Sequence, residues 1–163
     1  MEDNKVIKLV YTFFVGLLLA IFVGVGISTF YESPKVPQWP TELNTLGREP
    51  TSEQVKLQRD FDKKTEQHNK VMKPYNRNVS IMTLVAAVAF LVISLAYEKK
   101  IKIIADGIML GGLFTLLYSI GRGFASEDSK YSFLTVTVGL IVVFYLGYHR
   151  FIKTHGSTTK TTK

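Results

Sequence analysis

The sequence has no cysteine. That excludes a disulfide framework, a thiolate metal site and a cysteine nucleophile. Charge is sparse: 20% of the 163 residues are charged against 47% hydrophobic, and the mean hydropathy is above zero. A disordered chain has the opposite balance. The histidines His68, His149 and His155 are scattered and lack metal-ligand spacing. The phosphate loop G-x-x-x-x-G-K-[ST] is missing, as are G-x-S-x-G and H-E-x-x-H. No apolar block carries paired carboxylates for acid–base work. These absences point away from an enzyme, and neither cofactor nor metal is expected.

What the chain does have is four long apolar blocks with most of its charge between them. The first runs Leu9 to Tyr31, 23 residues without a charge. At 1.5 Å per residue it is roughly 34 Å long, enough to cross a hydrocarbon core of about 30 Å. The others, residues 79–97, 103–121 and 131–149, have 19 residues each. All are apolar on both parities, whereas strands of a membrane barrel alternate. The first block is too long for a signal-peptide core, and no A-x-A-like site follows it. The expected fold is all-α: a polytopic four-transmembrane-helix bundle with an extramembrane helix in its first long loop.

Orientation rests on Lys and Arg in short loops and flanks. Residues 1–8, the turn 98–102 and the tail 150–163 together carry nine. The opposite side carries eleven, of which nine sit in the long loop 32–78. Only five of those nine lie near a span end (Lys35, Lys64, Lys70, Lys73 and Arg77), which leaves nine against seven. The turn EKKIK is the densest basic cluster. Both termini are therefore expected in the cytoplasm and the long loop outside. The net charge of +7 reads as membrane-surface charge, with no nucleic-acid partner. The Thr- and Lys-rich tail is expected to be disordered near anionic lipid.

Within the long loop, residues 32–50 hold four of the five prolines and the only tryptophan, Trp39, which is read as a packing anchor. Thr51 followed by Gln54 forms a capping box, so a helix is expected over about 51–73. Leu57, Phe61, Thr65, His68, Met72 and Tyr75 give it one narrow, mostly apolar face. Leu57, Phe61, His68 and Met72 are its candidate partner-contact residues, although packing within the chain is the commoner use of such a stripe. Pro74 is expected to end or kink this helix. The match of Asn78-Val79-Ser80 to a glycosylation acceptor is taken as chance.

Small residues recur every four positions inside the spans. Gly16, Ala20, Gly24 and Ser28 do so in the first, and Gly107, Gly111, Thr115, Ser119 and Gly123 in the third. Thr135, Gly139 and Gly147 partly do so in the fourth. Such seams let helix backbones approach closely in lipid. Asp106 is the only acidic residue within the four apolar blocks. It is expected at an interface, partly paired with Lys102, in the first turn of its helix, where a carboxylate is favoured. Arg122 is expected at the other end of that helix, pairing with Glu127 or Asp128 or meeting a lipid phosphate.

The stretches FVGVGISTFY, PYNRNVS and LGGLFTLLYSIGRGFASEDSKY resemble a family of four-span membrane proteins from ultra-small candidate-phylum bacteria. The resemblance covers most of the chain, implies a bacterial plasma membrane and assigns no activity. The spans-and-loops plan is also similar to that of large-pore channel subunits and claudin-like proteins, whose loop cysteines this chain lacks. The expected role is a non-enzymatic assembly or scaffold component. It would self-associate or bind a membrane partner through the small-residue seams and the outer helix. The alternatives are a pore-forming channel subunit, with Thr115, Ser119, Thr135 and Thr137 as the polar lining, and a proton-coupled transporter using Asp106.

Overall fold

A computed structural model describes residues 3–43 and 51–153, and regular structure among them is all helical. Helix α1 spans Asp3–Phe30, α2 Ser52–Tyr97, α3 Lys102–Phe124 and α4 Ser129–Gly147. A π-helical turn, Tyr148–Lys153, follows α4. All four helices are long and apolar enough to cross a membrane. The tail expected to be disordered starts at residue 150, but residues 150–153 belong to the π-helical turn, where Arg150 is held by ion pairs. Residues 154–163 lie outside the described residues.

Helix α1 begins six residues before the apolar block, because Asp3 to Lys8 contain no helix breaker. At α2 the capping box forms in full. Thr51 Oγ1 accepts from the Gln54 amide at 3.4 Å, and Gln54 Oε1 accepts from the Thr51 amide at 2.9 Å.

Pro74 does not end the outer helix. Helix α2 runs through it for 46 residues, joining the outer helix and the second apolar block, a length of roughly 69 Å. An interior proline costs about 3 kcal/mol. Several tertiary anchors within one turn offset it. Lys73 pairs with Glu127 at 2.7 Å, Tyr75 stacks on Tyr31, and Asn76 donates to the Ala125 carbonyl at 2.9 Å. Individual hydrogen bonds contribute about 0.5–1.5 kcal/mol each.

Helix α3 is the central element, packed along both α1 and α2, with α4 held more lightly against it. It presents small residues on two sides. Toward α1, Gly111 is so close that an added Cβ would lie 2.9 Å from Leu19 Cβ and 3.2 Å from the Gly16 carbonyl. Toward α2, a Cβ on Gly112 would lie 2.6 Å from Leu91 Cδ2. Hydroxyls do the rest. Ser80 Oγ donates to the Ser119 carbonyl at 2.7 Å and Ser119 Oγ donates to the Ser80 carbonyl at 2.8 Å. Ser94 Oγ donates to the Ala105 carbonyl at 2.7 Å.

Burial is inverted relative to a water-soluble bundle. The buried positions include Ser80, Thr83, Ser94, Thr115, Ser119 and Thr135, while Leu9 is 71% and Phe22 73% exposed.

The short α3–α4 turn is closed by Glu127 in the left-handed region, φ 54°, which costs a non-glycine residue about 1–2 kcal/mol. Asp128 then caps α4, its carboxylate accepting from the Lys130 and Tyr131 amides at 3.1 Å each.

Candidate functional site

Three groupings organise the polar chemistry. The first lies along the outer half of α2. Residues 31–43 run antiparallel to that helix as a strap. Tyr31 meets Tyr75, Ser33 meets Met72, and Trp39 packs edge-on against Phe61 with ring centroids 4.9 Å apart. The Glu42 carbonyl then accepts from Gln54 Nε2 at 3.2 Å. The strap follows the face predicted from spacing, and Leu57, Phe61, Thr65, His68 and Met72 are all half-buried. The rest of the arm is charged. Lys70 lies 2.7 Å from Glu66, and this hydrogen bond and charge hold the Glu66 carboxyl below its ordinary range. That small contribution, from fully solvated groups, is present near neutrality and fades as pH falls through the lowered value.

The second grouping sits where the arm enters the bundle. Among the described residues, Arg122 forms an ion pair with neither Glu127 nor Asp128. Its Nη1 instead donates to Asn76 Oδ1 at 2.8 Å and its Nε to the Tyr118 hydroxyl at 3.0 Å. The guanidinium also lies 5.8 Å and 5.4 Å from the Tyr75 and Tyr118 ring centroids. Tyr75 and Tyr31 are stacked at 5.1 Å, and Asn78 Nδ2 donates to the Tyr31 hydroxyl at 3.0 Å. The carboxylates expected to hold Arg122 are engaged elsewhere, Glu127 by Lys73 and Asp128 by the amides of α4. The cluster therefore ties α1, α2 and α3 together at one end. Sequence reasoning missed Tyr31, Asn76 and Tyr118. The available signal was the aromatic and amide residues flanking three span ends.

The third grouping is at the opposite end. Asp106 pairs with Arg150 rather than with Lys102. Arg150 Nε also lies 3.7 Å from Glu98 Oε1, and its side chain is only 12% exposed. A residue in the turn after α4 is thus gripped by carboxylates from α2's C-terminal cap and from α3. Glu98 and Arg150 were missed, since Arg150 lies 44 positions from Asp106 and 52 from Glu98, and residues so far apart give no local sign of pairing.

The seam residues divide. Gly16, Gly107 and Gly111 are buried between α1 and α3, and Gly139 is in ordinary contact with Leu116 and Ile120. Ser119 faces Ser80. Ala20 is half-buried. Gly24 and Gly147 have open space beside them, and exposed Ser28 donates to its own helix, to the Val25 carbonyl at 2.9 Å. Thr115, Thr135 and Thr137 likewise donate to carbonyls one turn back, those of Gly111, Tyr131 and Phe133. Among the described residues there is no grouping of three or more His, Asp or Glu side chains placed to hold a metal.

No family model, curated protein or solved structure matches the chain, so the resemblance to a four-span bacterial family gains no support there.

Proposed function

We propose that this is a non-enzymatic membrane protein that holds an assembly together, with the bundle as anchor and the outer half of α2 as the contact arm. The observation that carries the reading is the continuity of α2. Its residues 52–72 extend past the α3–α4 turn, since α2 first meets that turn at Lys73 and Asn76. A strap along one face leaves the charged faces for contact. The inverted burial supports a bilayer around the bundle, because large apolar side chains on the outside of a helical bundle suit lipid and small or hydroxylated ones suit close helix packing. The positive-inside balance supports both termini in the cytoplasm, with the arm outside a bacterial plasma membrane.

Self-association is the form of the proposal that the purified chain can test. Native mass spectrometry in nanodiscs, with amine crosslinking through Lys56, Lys63 and Lys64, is expected to give species of two or more copies and arm-to-arm crosslinks. An uncomplexed monomer at every protein-to-lipid ratio overturns this reading.

A further inference from the structure

A cleft of about 430 Å³ opens beside the arm's entry into the bundle, lined by Lys73, Pro74, Arg77, Glu127, Ser129 and Lys130 among others. Three cations face two carboxylates there, but both carboxylates are committed. Glu127 holds Lys73 at 2.7 Å, and Asp128 caps α4. Among the described residues, Arg77 and Lys130 make no side-chain hydrogen bond or ion pair. They come from different elements, Arg77 from α2 and Lys130 from the first turn of α4, and they converge on one cavity.

The position of this cavity along α2 bears on what it could bind. The uncharged run of α2 from Val79 to Tyr97 is roughly 28 Å long, about one hydrocarbon thickness. Arg77 stands just beyond that run. The tyrosines Tyr31, Tyr75 and Tyr118, of a type that gathers at membrane interfaces, lie at the same level, around Arg122. A cationic cleft at this height meets phosphate before it meets bulk water.

We propose that Arg77 and Lys130 bind the headgroup phosphate of an anionic phospholipid, seated between the arm and the α3–α4 turn. Lys73 and Glu127 neutralise each other, so Arg77 and Lys130 against the single charge of Asp128 leave the cleft with a formal net charge of +1. A lipid there would brace the junction through which any load on the arm reaches the bundle.

The test uses the full chain in detergent, with native mass spectrometry during titration of phosphatidylglycerol or phosphatidylcholine. The wild type is expected to retain phosphatidylglycerol in preference. In the R77Q/K130Q variant that retention falls by about tenfold. The K99Q/K100Q variant, which removes the same charge at the opposite end, keeps it. Single Arg77→Gln and Lys130→Gln variants, each losing part of the preference, cover the case in which the double variant does not fold. Unchanged retention in R77Q/K130Q, or in both single variants, overturns the proposal, as does an equal loss in K99Q/K100Q. Displacement of phosphatidylglycerol by inorganic phosphate alone assigns the site to free phosphate and overturns the lipid assignment.

Discussion

Gly111 and Gly24 belong to the same kind of four-residue stripe, yet their surroundings differ. A methyl group at Gly111 would meet Leu19 Cβ at 2.9 Å and the Gly16 carbonyl at 3.2 Å, so part of the collision is with backbone that cannot rotate away. A methyl group at Gly24 meets nothing within 4 Å. Gly111→Ala is therefore expected to destabilise the protein by about 1–3 kcal/mol, the usual cost of overpacking. Gly24→Ala is expected to be neutral or to stabilise by up to about 1 kcal/mol, since alanine loses less backbone entropy in a helix. Denaturant or thermal unfolding in one detergent measures both, and the reverse order would refute the α1–α3 contact. Spacing made both stripes legible as close-approach surfaces. It was silent on which part of each stripe meets another helix, because that depends on how the helices pack in space, not on spacing within one helix. Asp106 shows the same limit. Its place in the first turns of α3 was legible, but its partner was not, since Lys102 is near in sequence and Arg150 is near only in space.

At the scale of elements, α4 is the helix least held by its neighbours, and at its far end the ion pairs of Arg150 add to the packing of buried Leu146. Arg150 reaches both Asp106 and Glu98, whose side chains are 30% and 19% exposed. Removing one partner from a fully buried pair costs about 3–5 kcal/mol. Partial solvent access brings the expectation for Arg150→Gln to about 1–3 kcal/mol. The loss should be local. Amides in the last turns of α4 are expected to exchange faster, while those of α3 around Gly111 keep their protection. Asp106→Asn should do less, because Glu98 still faces the cation. Uniform loss of protection across all four helices would argue against a clamp specific to α4. Legibility again follows locality. The start of α2 was readable because Thr51 and Gln54 satisfy each other within four residues. Its continuation through Pro74 was not, because the groups that oppose a break there, Glu127, Tyr31 and Ala125, are contributed by distant parts of the chain.

For the molecule as a whole, one helix is shared between two environments. Strap contacts hold its outer half, and α3 holds its inner half through Ser80, Ser94 and Leu91. A continuous helix transmits a displacement along its length, whereas a break at Pro74 would leave the arm swinging independently of the bundle. The two cases predict different distances. Spin labels at Lys56 and Ala96, both exposed on α2, should lie roughly 60 Å apart along an unbroken helix. The expected result is a narrow distribution near that value in nanodiscs. Two glycines inserted between Lys73 and Pro74 should broaden it, since they weaken the helix at the position already lacking a hydrogen bond. A broad distribution in the unmodified protein would mean that the anchors at Lys73, Tyr75 and Asn76 do not offset the proline. The arm would then be a tethered helix rather than an extension of the bundle, and partners bound to it would not be held in fixed geometry. Removing the Trp39 contact with Phe61 by Trp39→Ala separates the contributions. If the strap stiffens the arm, the distribution widens without a glycine insertion. If the anchors at the junction alone suffice, it stays narrow and only the strap becomes more accessible to protease.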